Sequence, residues 1–237
     1  MTSDRQPETD RIRSRDRQIV DHVARHRITT NEVLHKLFFK HRQQNAVTKV
    51  TARLCRADWL CKFPLYHPRL CFTLGPLAAK RLGVPVQRTL PLGPQALPTE
   101  YATLIYVVGK PRHRRLTANE LDQLCPWLIG PLADFPYCLD ESSEPTVLEL
   151  IRVDLGGKPD YVARKCEADF QARRSLSGFD EWVRERRFRL AVITGTTEKA
   201  ALIQSALEQH VWPVGLSIHL AVVPQLLQLT ARIFNGT

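Results

Sequence analysis

The stretch Gln44–Leu60, QNAVTKVTARLCRADWL, constrains this chain more than any other. Val47, Val50 and Leu54 recur at the i, i+3, i+7 spacing of an amphipathic helix, so one stripe of it must be buried. The opposite face carries Asn45, Thr48, Lys49 and Arg56, with Arg53 at its edge. Such side chains reach base edges and phosphates, and few of them suit a core. The stretch therefore predicts a helix with one side packed and the other presented to a polyanion.

What flanks it supports that reading. Residues 15–27, RDRQIVDHVARHR, predict a first helix with Ile19, Val20 and Val23 on one face. Thr29 and Glu32 fit a capping box, with Ile28 and Val33 as its hydrophobic staple. A second helix then runs to about Phe39, with Val33, Leu34, Leu37 and Phe38 inward. A basic, polar connection, Lys40 to Gln44, leads into the third. Three short helices at these gaps are the arrangement of a helix-turn-helix. From Cys61 to Leu74 apolar and polar residues roughly alternate about a Pro-containing turn, which predicts a hairpin. A hairpin after a recognition helix is a wing, with Lys62, His67 and Arg69 placed to meet phosphates. Residues 75–83, GPLAAKRLG, predict a short helix closed by Gly83.

Charge divides along the same line. Residues 1–83 hold 17 Lys+Arg and 7 Asp+Glu, so the whole formal net charge of +10 lies there, with five of the eight histidines. A basic segment joined to a neutral one points to a polyanion partner for the first alone. No run of about 18 apolar residues exists, so no membrane span is expected. The polar N-terminus lacks a secretory apolar core. Six cysteines without a tight framework read as reduced thiols in a cytoplasmic, nucleoid-associated protein.

The segment Arg53-Leu54-Cys55-Arg56-Ala57-Asp58-Trp59-Leu60, the hairpin, and Phe72-Thr73-Leu74-Gly75-Pro76-Leu77-Ala78-Ala79-Lys80-Arg81-Leu82-Gly83 together resemble winged helix-turn-helix proteins. More narrowly, they resemble the replication-relaxation family of mobile genetic elements, over residues 14–83. That resemblance implies a DNA-binding domain followed by a degenerate PD-(D/E)xK-like domain.

Residues 1–13 read as a flexible basic tail, and 84–98, VPVQRTLPLGPQALP, with its four prolines, as a semi-rigid linker. Residues 99–237 form the second domain. TEYATLIYVVG is a helix or a buried strand. KPRHRR, residues 110–115, reads as a solvated basic loop. LTANELDQLCPWL is helical behind a Thr117–Glu120 capping signal. TVLELIRVD and DYVARKCEADF flank Leu155-Gly156-Gly157-Lys158-Pro159 and read as a hairpin. Helix, strand (188–194), helix, strand and a closing helix follow. The sum is an α/β plan, similar to a restriction-endonuclease-like fold.

An active member of such a fold needs an Asp, a Glu and a Lys converging on a divalent metal. With Glu149 as the acid, the Lys position holds Ile151, and Pro136 is followed by Tyr137. With Asp160, Glu167 and Asp169 the Lys is missing and the spacing is short. Asp154, Asp160, Glu167 and Asp169 read instead as ion pairs with Arg152, Arg164, Lys165 and Arg173. Cys55, Cys61, His67 and Cys71 lack the paired spacing of a zinc site and read as packed thiols. Gly195-Thr196-Thr197 reads as a helix start.

The expectation is an α/β protein with no cofactor and no catalytic residues. It joins a winged helix-turn-helix to an α/β domain for dimerisation or docking. Arg42, Gln44, Asn45, Thr48, Lys49, Arg53, Arg56, Lys62, His67 and Arg69 would contact double-stranded DNA, in a homodimer with no membrane association. The role is that of a transcription regulator or a replication or mobilisation accessory of a bacterial mobile element. The alternative is a metal-dependent endonuclease targeted by the winged domain.

Overall fold

The computed structural model describes residues 12–234, and their side chains as far as 231. Most of the expected basic tail thus lies outside the described residues. The chain divides between Leu92 and Gly93 into two compact units.

The first unit holds α1 (Ser14–His26), α2 (Asn31–Phe38), α3 (Gln44–Arg56), a hairpin of β1 (Leu60–Tyr66) and β2 (Arg69–Leu74), and α4 (Pro76–Leu82). Its core joins Ile19, Val20 and Val23 of α1 and Leu34 of α2 to Val47, Val50 and Leu54 of α3. Trp59, Leu60, Phe72 and Leu74 bring the hairpin into the same core. The strands pair antiparallel from Leu60 opposite Leu74 to Tyr66 opposite Arg69.

Two local expectations are corrected. The cap of α2 is Thr30, whose hydroxyl accepts the Val33 amide at 3.3 Å, and not Thr29. Thr29 is engaged elsewhere: its amide and carbonyl exchange 2.9 Å hydrogen bonds with those of Phe72. An extended residue pairing with β2 cannot also lead a helix, so its neighbour of like chemistry takes the cap. Leu37, expected inside, is 39% exposed, and Phe39 just past the helix end is buried. At Gly75 a Cβ would stand 2.2 Å from the Asp58 carbonyl oxygen, so only glycine lets β2 turn into α4 there.

The expected linker is also shorter than its composition suggests. Val86–Thr89 forms a 3₁₀ turn, and the Thr73 hydroxyl donates to the Thr89 carbonyl at 3.2 Å. Arg88 donates to the Ala24 carbonyl. Residues up to 92 therefore belong to the first unit.

The second unit runs α5 (Ala96–Gly109), β3 (His113–Arg115), α6 (Ala118–Leu124), β4 (Tyr137–Asp140), β5 (Val147–Val153), α7 (Pro159–Arg174), α8 (Phe179–Arg184), β6 (Phe188–Thr194), α9 (Thr197–Leu207), β7 (Ser217–Val222) and α10 (Leu226–Phe234). The strands lie in the order β3-β4-β5-β6-β7. The first three are antiparallel neighbours and the last three parallel. This is a mixed α/β fold. One sheet face carries Leu148, Leu150, Leu190 and Val192, packed with Val162, Cys166 and Phe170 of α7, Phe179 and Trp182 of α8, and Ile203 and Leu207 of α9.

The hairpin expected about Gly156-Gly157 is wrong in its second arm: residues 159–174 are helix α7. Its buried residues include Val162, Cys166, Phe170 and Arg173, at spacings of three and four. Pro159 suits a helix's first turn, and a parallel β5–β6 pair requires a crossover that a tight hairpin cannot make. The Gly-Gly turn is held by the Asp154 carboxylate, which accepts the Gly156 and Gly157 amides at 2.9 and 3.1 Å. The ambiguous stretch from Thr99 is helical, in α5. KPRHRR is no solvated loop. It leads into β3, where Arg115 is buried against Glu100 and only 5% of the His113 side chain is exposed. Arg114 pairs with Glu120 and Glu141. Among the described residues no helix is long and apolar enough to cross a membrane.

Candidate nucleic-acid interface and a buried polar cluster

Helix α3 starts where its chemistry changes. Gln44 and Asn45 open it, and from Val47 on the buried residues set its rotation, which leaves Thr48, Lys49 and Arg56 exposed with them. Arg42 before the helix is exposed as well, and His35 Nε2 holds that connection by donating to the Arg42 carbonyl at 2.8 Å. Lys62, His67 and Arg69 on the hairpin are exposed.

Two of the expected contact residues have partners inside the protein. Arg53 donates to Asp16 at 2.8 Å, and Asp16 is wholly buried while the Arg53 side chain is 42% exposed. Its first task is therefore to hold α3 on α1. Arg69 pairs with Glu32 and so ties the hairpin to the first turn of α2. Cys71 is buried with its thiol on the Phe63 carbonyl, and burial pushes it up to about 11. Cys55 and Cys61 are half-buried, and burial raises both.

The second unit holds a different arrangement on the sheet face under α5. Strand register sets His113 opposite Asp140, Cys138 opposite Glu149, and Glu149 opposite Arg189, so all five project from one face. Arg189 Nη1 donates to Asp140 Oδ2 at 3.0 Å and to Glu149 Oε1 at 2.9 Å. The Tyr106 hydroxyl of α5 donates to both Glu149 oxygens, at 3.0 and 2.9 Å, and accepts from Lys110 Nζ at 2.8 Å. His113 Nδ1 lies 3.7 Å from Asp140 Oδ1, and its Nε2 lies 3.5 Å from Glu149 Oε2.

The electrostatics follow from burial and pairing. Burial works against the Asp140 charge, but hydrogen bonds from the Ser142 hydroxyl and amide, the neighbouring His113 and a hydrogen bond from Arg189 outweigh it and hold the carboxyl at about 2. Burial lowers Lys110, and the Glu149 charge offsets part of that. Burial raises Tyr106, and the Glu149 charge and hydrogen bond raise it further. His219, also at this face, is lowered by burial and then by Lys110.

No protein family, no curated protein and no solved structure matches this chain.

Of the incomplete Asp, Glu and Lys placement about Glu149, only Glu149 itself lies in this cluster. Tyr137 points to the opposite side of the sheet, where its hydroxyl accepts from the buried Arg173 at 2.8 Å, and Ile151 is buried. The acid beside Glu149 is Asp140, and the nearby ammonium is Lys110 from α5. Asp140 and His113 escaped the sequence reading because their partners in the cluster are 9 to 49 positions away, across four strands. The one available signal was a short basic stretch containing an extended His-Arg-Arg. The other acids are dispersed: Asp169 pairs with Arg152, Glu167 with His210 at 3.0 Å, and the buried Asp154 accepts from Thr194 at 3.0 Å. Thr196 caps α9, accepting the Lys199 amide at 3.0 Å.

Proposed function

We propose that this chain binds double-stranded DNA through its first unit, with α3 in the major groove and the β1–β2 hairpin against the backbone. One observation carries the reading. The exposed face of α3 bears Asn45, Thr48, Lys49 and Arg56 within the segment that holds the entire net positive charge. Asn makes bidentate contacts to adenine, Arg to guanine, and a threonine methyl packs on that of thymine. Arg42, Lys62 and His67 lie on the flanking connection and hairpin, where phosphates pass a helix seated in the groove. Arg53 and Arg69 act through their partners, Asp16 and Glu32, and fix the angle of α3 and the hairpin.

The role is that of a transcription regulator, or of a replication or mobilisation accessory protein of a bacterial mobile element, in the cytoplasm at the nucleoid. The second unit would serve self-association, and a two-fold dimer would read half-sites one helical turn apart.

The test is duplex-DNA binding by the full chain, followed by gel shift or fluorescence anisotropy at two salt concentrations. Affinity should fall steeply with salt, as counterion release requires. Lys49→Ala together with Arg56→Ala should weaken binding at least tenfold and leave the thermal transition in place. Unchanged affinity in that folded double variant would refute the placement of α3.

A further inference from the structure

The buried cluster of the second unit contains a feature that its own hydrogen bonds leave unexplained. His113 Nδ1 lies 3.2 Å from the Pro111 carbonyl oxygen. A carbonyl only accepts, so that bond places the ring proton on Nδ1. Nε2 carries a lone pair when the ring is neutral and a second proton when it is an imidazolium. This nitrogen is buried, has no hydrogen-bond partner, and faces Glu149 Oε2 across 3.5 Å. With the ring neutral, two electron-rich atoms face each other in a buried site, and either a metal ion or the second ring proton between them relieves that.

We propose that His113, Asp140 and Glu149 form a binding site for a divalent transition cation, Zn²⁺ or Mn²⁺ ahead of Mg²⁺. One ligand atom from each of the three lies within 4.8 Å of the others. Ligands about 2.1 Å from an ion and about 109° apart are ~3.4 Å from one another, close to the His113–Glu149 separation of 3.5 Å. An imidazole that donates its other N–H to a backbone carbonyl is the usual setting of a metal-bound histidine, because that bond fixes the tautomer and the ring. One imidazole and two carboxylates suit Zn²⁺ or Mn²⁺, whereas Mg²⁺ prefers oxygen and keeps its waters.

Arg189 is the counter-argument and also the lever. Its Nη1 neutralises the cluster, but through Asp140 Oδ2 and Glu149 Oε1. The second oxygen of each carboxylate, Asp140 Oδ1 and Glu149 Oε2, is the one turned toward His113. Asp140 Oδ1 also accepts from the Ser142 amide at 3.0 Å and from its hydroxyl, and Glu149 Oε2 from Tyr106 at 2.9 Å. An ion would join these oxygens through their remaining lone pairs without displacing the guanidinium, held more weakly than it would be without that positive charge. Lys110, lying over the Tyr106 ring at 4.1 Å, and the half-exposed His219 stand at the same face. Both oppose the ion electrostatically when charged.

The experiment uses the full chain, stripped with a chelator and titrated with Co²⁺ as a coloured stand-in and then with Zn²⁺. Tight uptake of one ion per chain should follow, with a visible Co²⁺ spectrum that Zn²⁺ abolishes and a rise in Tm on Zn²⁺ addition. His113→Gln and Glu149→Gln should each weaken uptake at least tenfold. Arg189→Met should tighten it severalfold, an effect opposite to that of a merely damaged fold. Uptake unchanged in His113→Gln would place the ion on other side chains and overturn the assignment. So would uptake absent from both the wild type and Arg189→Met, since the cation beside Nε2 would then be a proton.

Discussion

In the first unit cations stand on the outside of a helix and a hairpin, spaced by a helical period. In the second, Arg189 lies between two carboxylates under α5, which come from the neighbouring strands β4 and β5. The first arrangement costs little to fold and leaves charge available to a partner. The second removes charge from water, and is tolerated only because donors and acceptors there are matched. A surface set of charges can be altered one residue at a time. A buried set answers as a whole.

Substitutions should separate the two regions most sharply at Glu149. It is wholly buried and accepts from Tyr106 and Arg189. Glu149→Ala leaves a guanidinium and a phenol facing an apolar gap, and should cost about 3–5 kcal/mol in urea denaturation. A loss under about 1 kcal/mol would mean that the cluster is open to water, and the contrast with α3 would collapse.

A half-buried histidine of the first unit predicts a pH dependence. Burial, and then the Arg25 charge, lower His22 to about 4, while its Nε2 lies 3.1 Å from the Thr29 hydroxyl. The unfolded chain takes up this proton below about 6.5 and the folded chain only near 4, so stability is fully present above the former value. It should decline as pH falls through that window, by on the order of 3 kcal/mol, and level off below it. His22→Gln should remove this component. Parallel pH profiles for wild type and variant in denaturant titrations would show that the histidine is hydrated.

The smallest effect belongs to Arg53, where surface and core meet. Arg53→Ala should cost about 1–2 kcal/mol, because Asp16 is left buried without its cation while solvent screens part of the pair. A double-mutant cycle with Asp16→Ala measures the coupling. Zero coupling would return Arg53 to the set of purely exposed contacts.

The legibility of the two units differs for physical reasons. Val47, Val50 and Leu54 share one face of one helix, so their period is visible in eight consecutive residues, and the exposed face of α3 follows from it. The Thr117–Glu120 capping box was equally local and forms as read. Thr29 misled because it and Thr30 offer the same hydroxyl, and only the pairing of Thr29 with Phe72 decides between them. Residues 160–170 misled because their polar residues interrupt the stripe Val162, Cys166, Phe170. In KPRHRR composition pointed to solvent, whereas Glu100 and Asp140, far along the chain, supply acceptors that draw His113 and Arg115 inward.

By itself the sequence determined the amphipathic stripe of α3, the gathering of net charge in the first 83 residues, the hairpin after it and the mixed α/β character. Each depends on neighbours within a turn or a strand, where spacing is geometry. Only the tertiary structure decided that α7 is a crossover helix, that Arg53 is held by Asp16, and that His113, Asp140, Glu149 and Arg189 share one sheet face. Those depend on strand order and register, which arise when distant segments bury their apolar faces together. No short window of the chain encodes that choice.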